Sequence, residues 1–382
     1  MTARPAVDRN LIVHVAQIDL APTTGMGRVA WHWRRAFEER GYRFLHLGKE
    51  LLPAGAHPAR FPLAAWRAVR SLPEEPAALL LHEPAAFPAL VGDTPAVVFS
   101  HGLERRGWEA AMRYSPAPRG GTGPPGLRSR LLYPLWRLFP CDLAARLSPM
   151  LLVLNHTDRE FAARRYGRPP GSTPIVRNGV EPPDATPSAA ACATVPIAGP
   201  TVLFVGSYLA RKGVEVLQRA AGILEQRGRA VHWLLAGTVL SAEEILPAWP
   251  APVRARVEVV RTFARDEEAA LHARSTLFVL PSFFEGQPLS LLQAMASGRC
   301  PIVTGIGGQA DLVRDGENGL VVPAGDPDAL ADAIERALAT PELRRRLAAA
   351  ARRTVADRTW RRVSHEVVDL VEEAIERGRR RR

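Results

Sequence analysis

The sequence predicts two doubly wound, Rossmann-like α/β domains, each a parallel sheet with helices on both faces. Three observations carry this. The chain has 382 residues, more than one hydrophobic core usually serves. Short apolar runs alternate with helical periodicity, and the runs are almost continuously apolar, as in strands buried on both faces. The pattern also occurs twice. Between its two occurrences lies a stretch rich in Pro, Ala and Ser, residues 182–200, which reads as a linker.

Strands are expected at 11–18, 44–47, 78–82, 96–100 and 151–155 in the first half. In the second they are expected at 202–205, 231–236, 257–260, 277–280, 302–304 and 320–322. A helix is expected over 28–40, closed by Gly41. Another follows Gly213, with Val214, Leu217, Ala221 and Leu224 on one face and Gly228 suited to its C-terminal cap. Asp326-Pro327-Asp328 reads as an N-cap and first helical turn. Residues 117–126, a Pro and Gly cluster, read as a mobile loop. The stretch 131–139 is unusually apolar and interleaved with Arg. Residues 360–376 read as an amphipathic helix followed by a basic tail. The expected division is 1–185, 186–358 and a terminal helix with its tail, 359–382.

Composition narrows the function classes. No run of roughly 18 uncharged apolar residues occurs, so no spanning helix is expected. The first ten residues lack the basic-then-apolar pattern of a signal peptide. Cys141, Cys192 and Cys300 are odd in number and far apart, which fits neither a disulfide framework nor a zinc site. A reducing cytoplasm is therefore the expected compartment. The net charge is +11, carried by 48 Arg and two Lys, Lys49 and Lys212. Such a skew reflects coding bias, and no nucleic-acid partner is expected from it. Residues 1–185 carry 24 basic and 16 acidic side chains, a net of +8. This half suits an anionic acceptor or an anionic membrane surface.

Open parallel sheets bind ligands beyond the carboxyl ends of their strands, so the loops after strands are informative. After the first strand comes Thr24-Gly25-Met26-Gly27-Arg28, opening a helix, where glycines let backbone N–H groups approach a phosphate. After 202–205 comes Gly206-Ser207-Tyr208-Leu209-Ala210-Arg211-Lys212-Gly213, with two cations at a helix N-terminus that already favours an anion. After 277–280 comes Pro281-Ser282-Phe283-Phe284-Glu285-Gly286-Gln287-Pro288-Leu289-Ser290, leading into a helix that contains Gln293. There an acidic residue stands at a glycine turn, and Pro288 marks a helix start.

Residues 281–323 resemble the donor-site signature of family 4 retaining glycosyltransferases. Ile306-Gly307-Gly308, Asp315-Gly316-Glu317-Asn318-Gly319 and Gly325-Asp326-Pro327 support the resemblance. Arg211-Lys212-Gly213 resembles the family's phosphate pair, and Asn178-Gly179-Val180-Glu181 the end of its first domain. Gly25–Gly27 resembles its first-domain glycine loop, and His101-Gly102 stands where it carries a histidine. The resemblance is specific over the second half and thin over residues 40–150.

The resemblance implies the GT-B fold, with both domains facing a central cleft, and a metal-independent retaining hexosyltransferase without a bound cofactor. Its co-substrate is a nucleoside-diphosphate sugar and its acceptor a hydroxyl on a glycan or lipid-linked molecule, in cell-envelope or surface-polysaccharide synthesis. Arg211 and Lys212 would neutralise the diphosphate leaving group. Glu285 would hold the donor sugar, aided by Gly206, Ser207, Gly286, Gln287, Pro288, Leu289 and Ser290. Gln293 would meet the ribose. His101, Gly25 and Gly27 would face the transferred sugar once the domains close, with the terminal helix strapped back onto the first domain. Two departures stand out: Gln293 replaces a usual Glu, and Ser207 a frequent Arg. They motivate an alternative, a degenerate member that binds sugar nucleotide or a protein partner without turnover. An epimerase on the same fold fits 281–298 less well.

Overall fold

A computed structural model describes residues 7–114, 126–181 and 199–381. Most of the expected linker 182–200 and of the expected loop 117–126 lies outside the described residues. The chain divides into two compact units. One comprises Met1–Trp108, Pro125–Gly179 and Trp360–Arg382; the other comprises Glu109–Pro124 and Val180–Thr359.

The first unit holds a five-stranded sheet of β1 (Val7–Val15), β2 (Arg43–Leu47), β3 (Glu75–His82), β4 (Ala96–Phe99) and β5 (Met150–Leu152), in the order β2-β1-β3-β4-β5. Every pairing is parallel. The central strands are buried along nearly their whole length, because helices cover both faces; this is why their sequences are continuously apolar rather than alternating. Trp33, Phe37, Phe61 and Phe99 are the largest buried side chains.

The helix Gly25–Glu39 begins three residues earlier than its periodicity suggests. Thr24 is extended at its N-cap, and Arg28 N donates to Thr24 O at 2.7 Å, so both glycines fall in the first turn. The helix Trp360–Arg381 packs beside it. Trp360 stacks on His32 with ring centroids 4.4 Å apart, and Val367, Val368 and Val371 are buried. Gly179 lies under Trp360, where a Cβ would stand 2.6 Å from its Cα. Arg40 reaches Asp369 at 2.6 Å and Glu372 at 2.9 Å. These pairs are exposed, so the apolar contacts carry most of the packing energy.

The second unit holds a six-stranded parallel sheet: β6 (Thr201–Val205), β7 (His232–Ala236), β8 (Val257–Val260), β9 (Leu277–Leu280), β10 (Cys300–Thr304) and β11 (Leu320–Val322). Read from the β8 edge the order is β8-β7-β6-β9-β10-β11. The first strand in sequence thus lies centrally, and the chain leads away from it on both sides. The switch point of this doubly wound sheet falls between β6 and β9, where such sheets bind ligands. Asp326 caps Pro327–Ala339 by accepting from Ala329 N at 2.9 Å. No described helix is long and apolar enough to cross a membrane.

Candidate functional site

The loops leaving β6 and β9 meet at this switch point. After β6, Gly206 takes φ 149°, a one-turn helix spans Ala210–Lys212, and Gly213 takes φ 73° before the helix Val214–Gln226. Gly213 is sterically required. A Cβ there would lie 1.9 Å from Pro281 O, at the start of the loop after β9. Phe283 N donates to Arg211 O at 2.8 Å, which locks the two loops together. On the other side, a Cβ at Gly307 would lie 2.2 Å from Glu285 O, and one at Gly308 would lie 1.9 Å from Gly286 O. The loop carrying Glu285 is therefore held between two glycine turns, and its backbone has little freedom.

This packing brings Lys212 and Glu285 together. Lys212 Nζ donates to Glu285 Oε1 at 2.5 Å, with side chains only 12% and 7% exposed. Ser282 Oγ donates to the same oxygen at 2.8 Å. Glu285 Oε2 has no hydrogen bond among the described residues. Gly206 stands over the lysine, its Cβ direction pointing 4.0 Å from Lys212 Nζ. Arg211 is exposed and Ser207 partly so.

Gly286, Gln287 and Pro288 lead into the helix Leu289–Ala296, with Pro288 extended at its N-cap. The N–H groups of Leu289 and Ser290 have no partner within the helix, and they add a fixed partial positive charge at its start. Gln293, on the next turn, is 8% exposed, and its amide makes no hydrogen bond among the described residues. It is buried yet available for a ligand.

Several supports were not legible in the sequence. Ser282 is fully buried. Thr304 Oγ1 lies 2.5 Å from Ser282 O and 2.8 Å from Gln309 Oε1, and its single proton is shared between these acceptors. Gln309 Nε2 donates to Leu280 O at 2.8 Å, tying the end of β9 to the glycine turn. Behind the β6 loop, the Tyr208 hydroxyl accepts from Gln218 at 2.6 Å and from Trp249 at 2.9 Å. The residue types are ordinary, so only their position on strand ends would have marked them.

The first unit places Gly25, Gly27 and His101 at the carboxyl edge of its own sheet. The two glycines differ. A Cβ at Gly27 would lie 2.3 Å from Thr24 Oγ1 and 2.4 Å from Asp19 O, whereas Gly25 faces open space. The close approach at Gly27 is thus to its own loop. His101 sits two residues beyond β4, edge-on to Phe99 at 4.6 Å and to His82 at 4.8 Å. Its Nε2 is buried without a partner, and burial lowers its pKa to about 3, so the ring is neutral at pH 7.

A row of histidines lies beside it. His46 Nε2 is 3.1 Å from Ile18 O, His14 Nδ1 is 2.9 Å from His46 Nδ1, and His14 Nε2 is 3.0 Å from His82 Nε2. A carbonyl only accepts, so His46 carries its proton on Nε2. Its Nδ1 then accepts from His14, and His14 Nε2 accepts from His82. For three neutral rings the network admits this one set of tautomers. Burial, then repulsion from neighbouring rings, holds the pKa values of His14 and His82 well below the usual histidine range.

Next to His82, Glu83 is 2% exposed. Its Oε2 accepts from Ser100 Oγ at 2.6 Å and Glu104 N at 3.2 Å, while Oε1 is buried without a partner. Burial, against the help of the Ser100 hydrogen bond, raises its pKa to about 8. It too stands at a strand end, a position that could have marked it. Among the described residues no group of three His, Cys, Asp or Glu could hold a metal ion.

Residues 196–354 match the family described as glycosyl transferases group 1. The alpha-D-kanosaminyltransferase of Streptomyces kanamyceticus is 34% identical over 150 residues, 39% of this chain and 39% of that one. The chain spans between 39% and 61% of the length of the curated relatives it matches. Among solved structures, the sucrose-phosphate synthase of Thermosynechococcus elongatus superposes with TM-score 0.75 at 20% identity, over 95% of this chain and 98% of that one. Anabaena HepE, solved with UDP and glucose, superposes with TM-score 0.67 at 15% identity, over 94% of this chain and 99% of that one. These structures share the GT-B fold.

Proposed function

We propose that this chain, whose residues 196–354 belong to the group 1 glycosyltransferases, transfers a hexosyl group from a nucleoside-diphosphate sugar to a hydroxyl acceptor with retention of configuration. The observation that carries the proposal is the Lys212–Glu285 pair, buried at the switch point between β6 and β9 and held by glycine contacts on both sides. An ammonium has three protons, and Glu285 takes one of them. The others are available to diphosphate oxygens while Lys212 stays in place. Glu285 Oε2 is available to a sugar hydroxyl, so one pair grips both parts of the donor.

Arg211, exposed beside Lys212, adds charge where the leaving diphosphate gains it. These fixed cations support transfer without a resident metal. The amides at the start of Leu289–Ala296 add a partial positive charge, and Gln293 offers its amide to the ribose diol. Glutamine supplies both a donor and an acceptor to that diol. His101 and the Gly25–Gly27 loop, at the carboxyl edge of the first unit's own sheet, are further candidate groups for binding a sugar. The neutral His101 ring would accept or donate a hydrogen bond without placing a cation beside an oxocarbenium-like centre.

The acceptor is a glycan or lipid-linked molecule of the cell envelope or surface polysaccharide, met at the cytoplasmic face of a membrane. The net +8 charge of residues 1–185 supports an anionic acceptor or surface.

Calorimetric titration of UDP- and GDP-linked sugars, with EDTA present, tests the donor site. One donor should bind to the wild type and lose at least tenfold in affinity in Lys212→Ala. Failure of every donor to bind, or equal binding by the variant, would refute it.

A further inference from the structure

The apolar stretch after Gly126 forms a continuous helical rod: an α-helix over Leu127–Tyr133, a π-helical turn over Pro134–Leu138 and an α-helix over Phe139–Leu147. Its inner face is anchored in the first unit. The Tyr133 hydroxyl donates to Glu104, and its ring stacks on Trp108 at 4.5 Å. Trp136 lies edge-on to His57 at 4.8 Å, and Leu138 and Cys141 are fully buried. Its outer face is bare. Leu127, Leu131, Leu135 and Phe139 are 74%, 64%, 68% and 62% exposed.

These four residues recur every fourth position. On a helix of 3.6 residues per turn each step of four overshoots by about 40°, so the stripe would wind away from a flat surface. The π turn closes through i→i+5 bonds and takes more residues per turn. Steps through 134–138 offset part of the drift, and all four side chains stay on the exposed side of the rod.

We infer that this stripe is the face by which the protein docks on an anionic lipid bilayer, its leucines entering the interface and its arginines meeting the headgroups. This rests on the reading that the acceptor is presented at a membrane surface. Charge argues for the occupant: between Glu109 and Asp142 the chain has five arginines and no acidic residue. Arg128 and Arg130 are exposed beside the stripe. Arginines flanking a leucine row suit headgroups above an apolar layer. Protein interfaces anchor on Trp, Tyr and Arg, with Leu under-represented; here Tyr133 and Trp136 are turned inward and the bare face is mostly leucine.

Co-sedimentation of the whole chain with vesicles tests this. The wild type should bind vesicles of phosphatidylglycerol and phosphatidylcholine, and phosphatidylcholine vesicles at least tenfold more weakly. Leu131→Gln/Leu135→Gln should lower binding to the mixed vesicles at least tenfold. Arg128→Gln/Arg130→Gln should abolish the preference for the anionic lipid. Circular dichroism and donor titration check that each variant is folded; their donor affinity should match the wild type, while Lys212→Ala should bind vesicles normally. The two proposals therefore fail separately. Equal binding by the leucine variant would overturn the inference. So would no binding by the wild type, or a wild-type dimer in sedimentation that the leucine variant abolishes, since a second copy would then own the face.

Discussion

Gly213 and Gly228 hold nearly the same backbone, φ 73° and φ 72°. They flank the same helix, Val214–Gln226. Alanine at either position pays the left-handed conformation, about 1–2 kcal/mol. The surroundings differ completely. A Cβ at Gly228 meets nothing within 4 Å, whereas one at Gly213 lies 1.9 Å from Pro281 O, and the two loops would have to part by more than 1 Å. Forcing extra carbon into a packed site costs about 1–3 kcal/mol. Gly213→Ala should therefore destabilise by about 2–5 kcal/mol and Gly228→Ala by about 1–2 kcal/mol. Urea unfolding followed by circular dichroism separates them as midpoints, with matched slopes. Parting the loops also draws Arg211 from Phe283 and Lys212 from Glu285, so Gly213→Ala should bind donor more weakly, while Gly228→Ala should not. If both variants unfold together and bind donor alike, the loops after β6 and β9 do not pack as described, and the site built on that packing falls with them.

Three further outcomes follow from the buried ionisable groups. Lys212→Ala strands Glu285 unpaired at 7% exposure, so it should cost about 3–5 kcal/mol. Adding Glu285→Gln should restore most of that stability without restoring donor binding, as a double-mutant cycle would show. In the first unit, Glu83 and the histidine row give opposite pH dependences. The folded pKa of Glu83 is raised to about 8, so the folded state holds a proton that the unfolded state releases above about pH 4.5. Stability therefore falls as pH rises through this window, by up to about 1.4 kcal/mol per pH unit, and Glu83→Gln should flatten that fall. The pKa values of His14 and His82 are depressed, so the unfolded state binds protons first. Their contribution is present above about pH 6.5 and lost as pH falls below it. His14→Asn should weaken that acid loss in melts below pH 6.5.

The legible part of this protein was local. Buried parallel strands are apolar at nearly every position, so runs such as 202–205 and 277–280 announced β6 and β9 without knowledge of their partners. Ligand loops in such sheets follow strands, which singled out Arg211, Lys212, Glu285 and Gln293 before any contact was known. Glycines at unusual φ mark turns, though not what the turn approaches. Gly25 and Gly27 look alike in sequence, yet only Gly27 packs closely, and it does so against its own loop.

What only the tertiary structure decided depends on register and strand order. The Lys212–Glu285 bond joins residues 73 apart because β9 lies beside β6. The histidine row exists because β2, β1 and β3 are adjacent: His46 pairs in register with His14, and His82 lies two residues beyond Leu80, the partner of His14 on β3. The pKa of Glu83 is raised by burial, a property of its surroundings. The apolar stretch 131–139 was visible, but its inward and outward faces were not, since a π turn changes the period by which faces are counted. Composition and periodicity are properties of neighbours along the chain, so sequence alone indicates the elements and singles out the loops that follow strands. Which side chains meet, and which charges lose water, depends on neighbours across the sheet, and these exist only once the chain has folded.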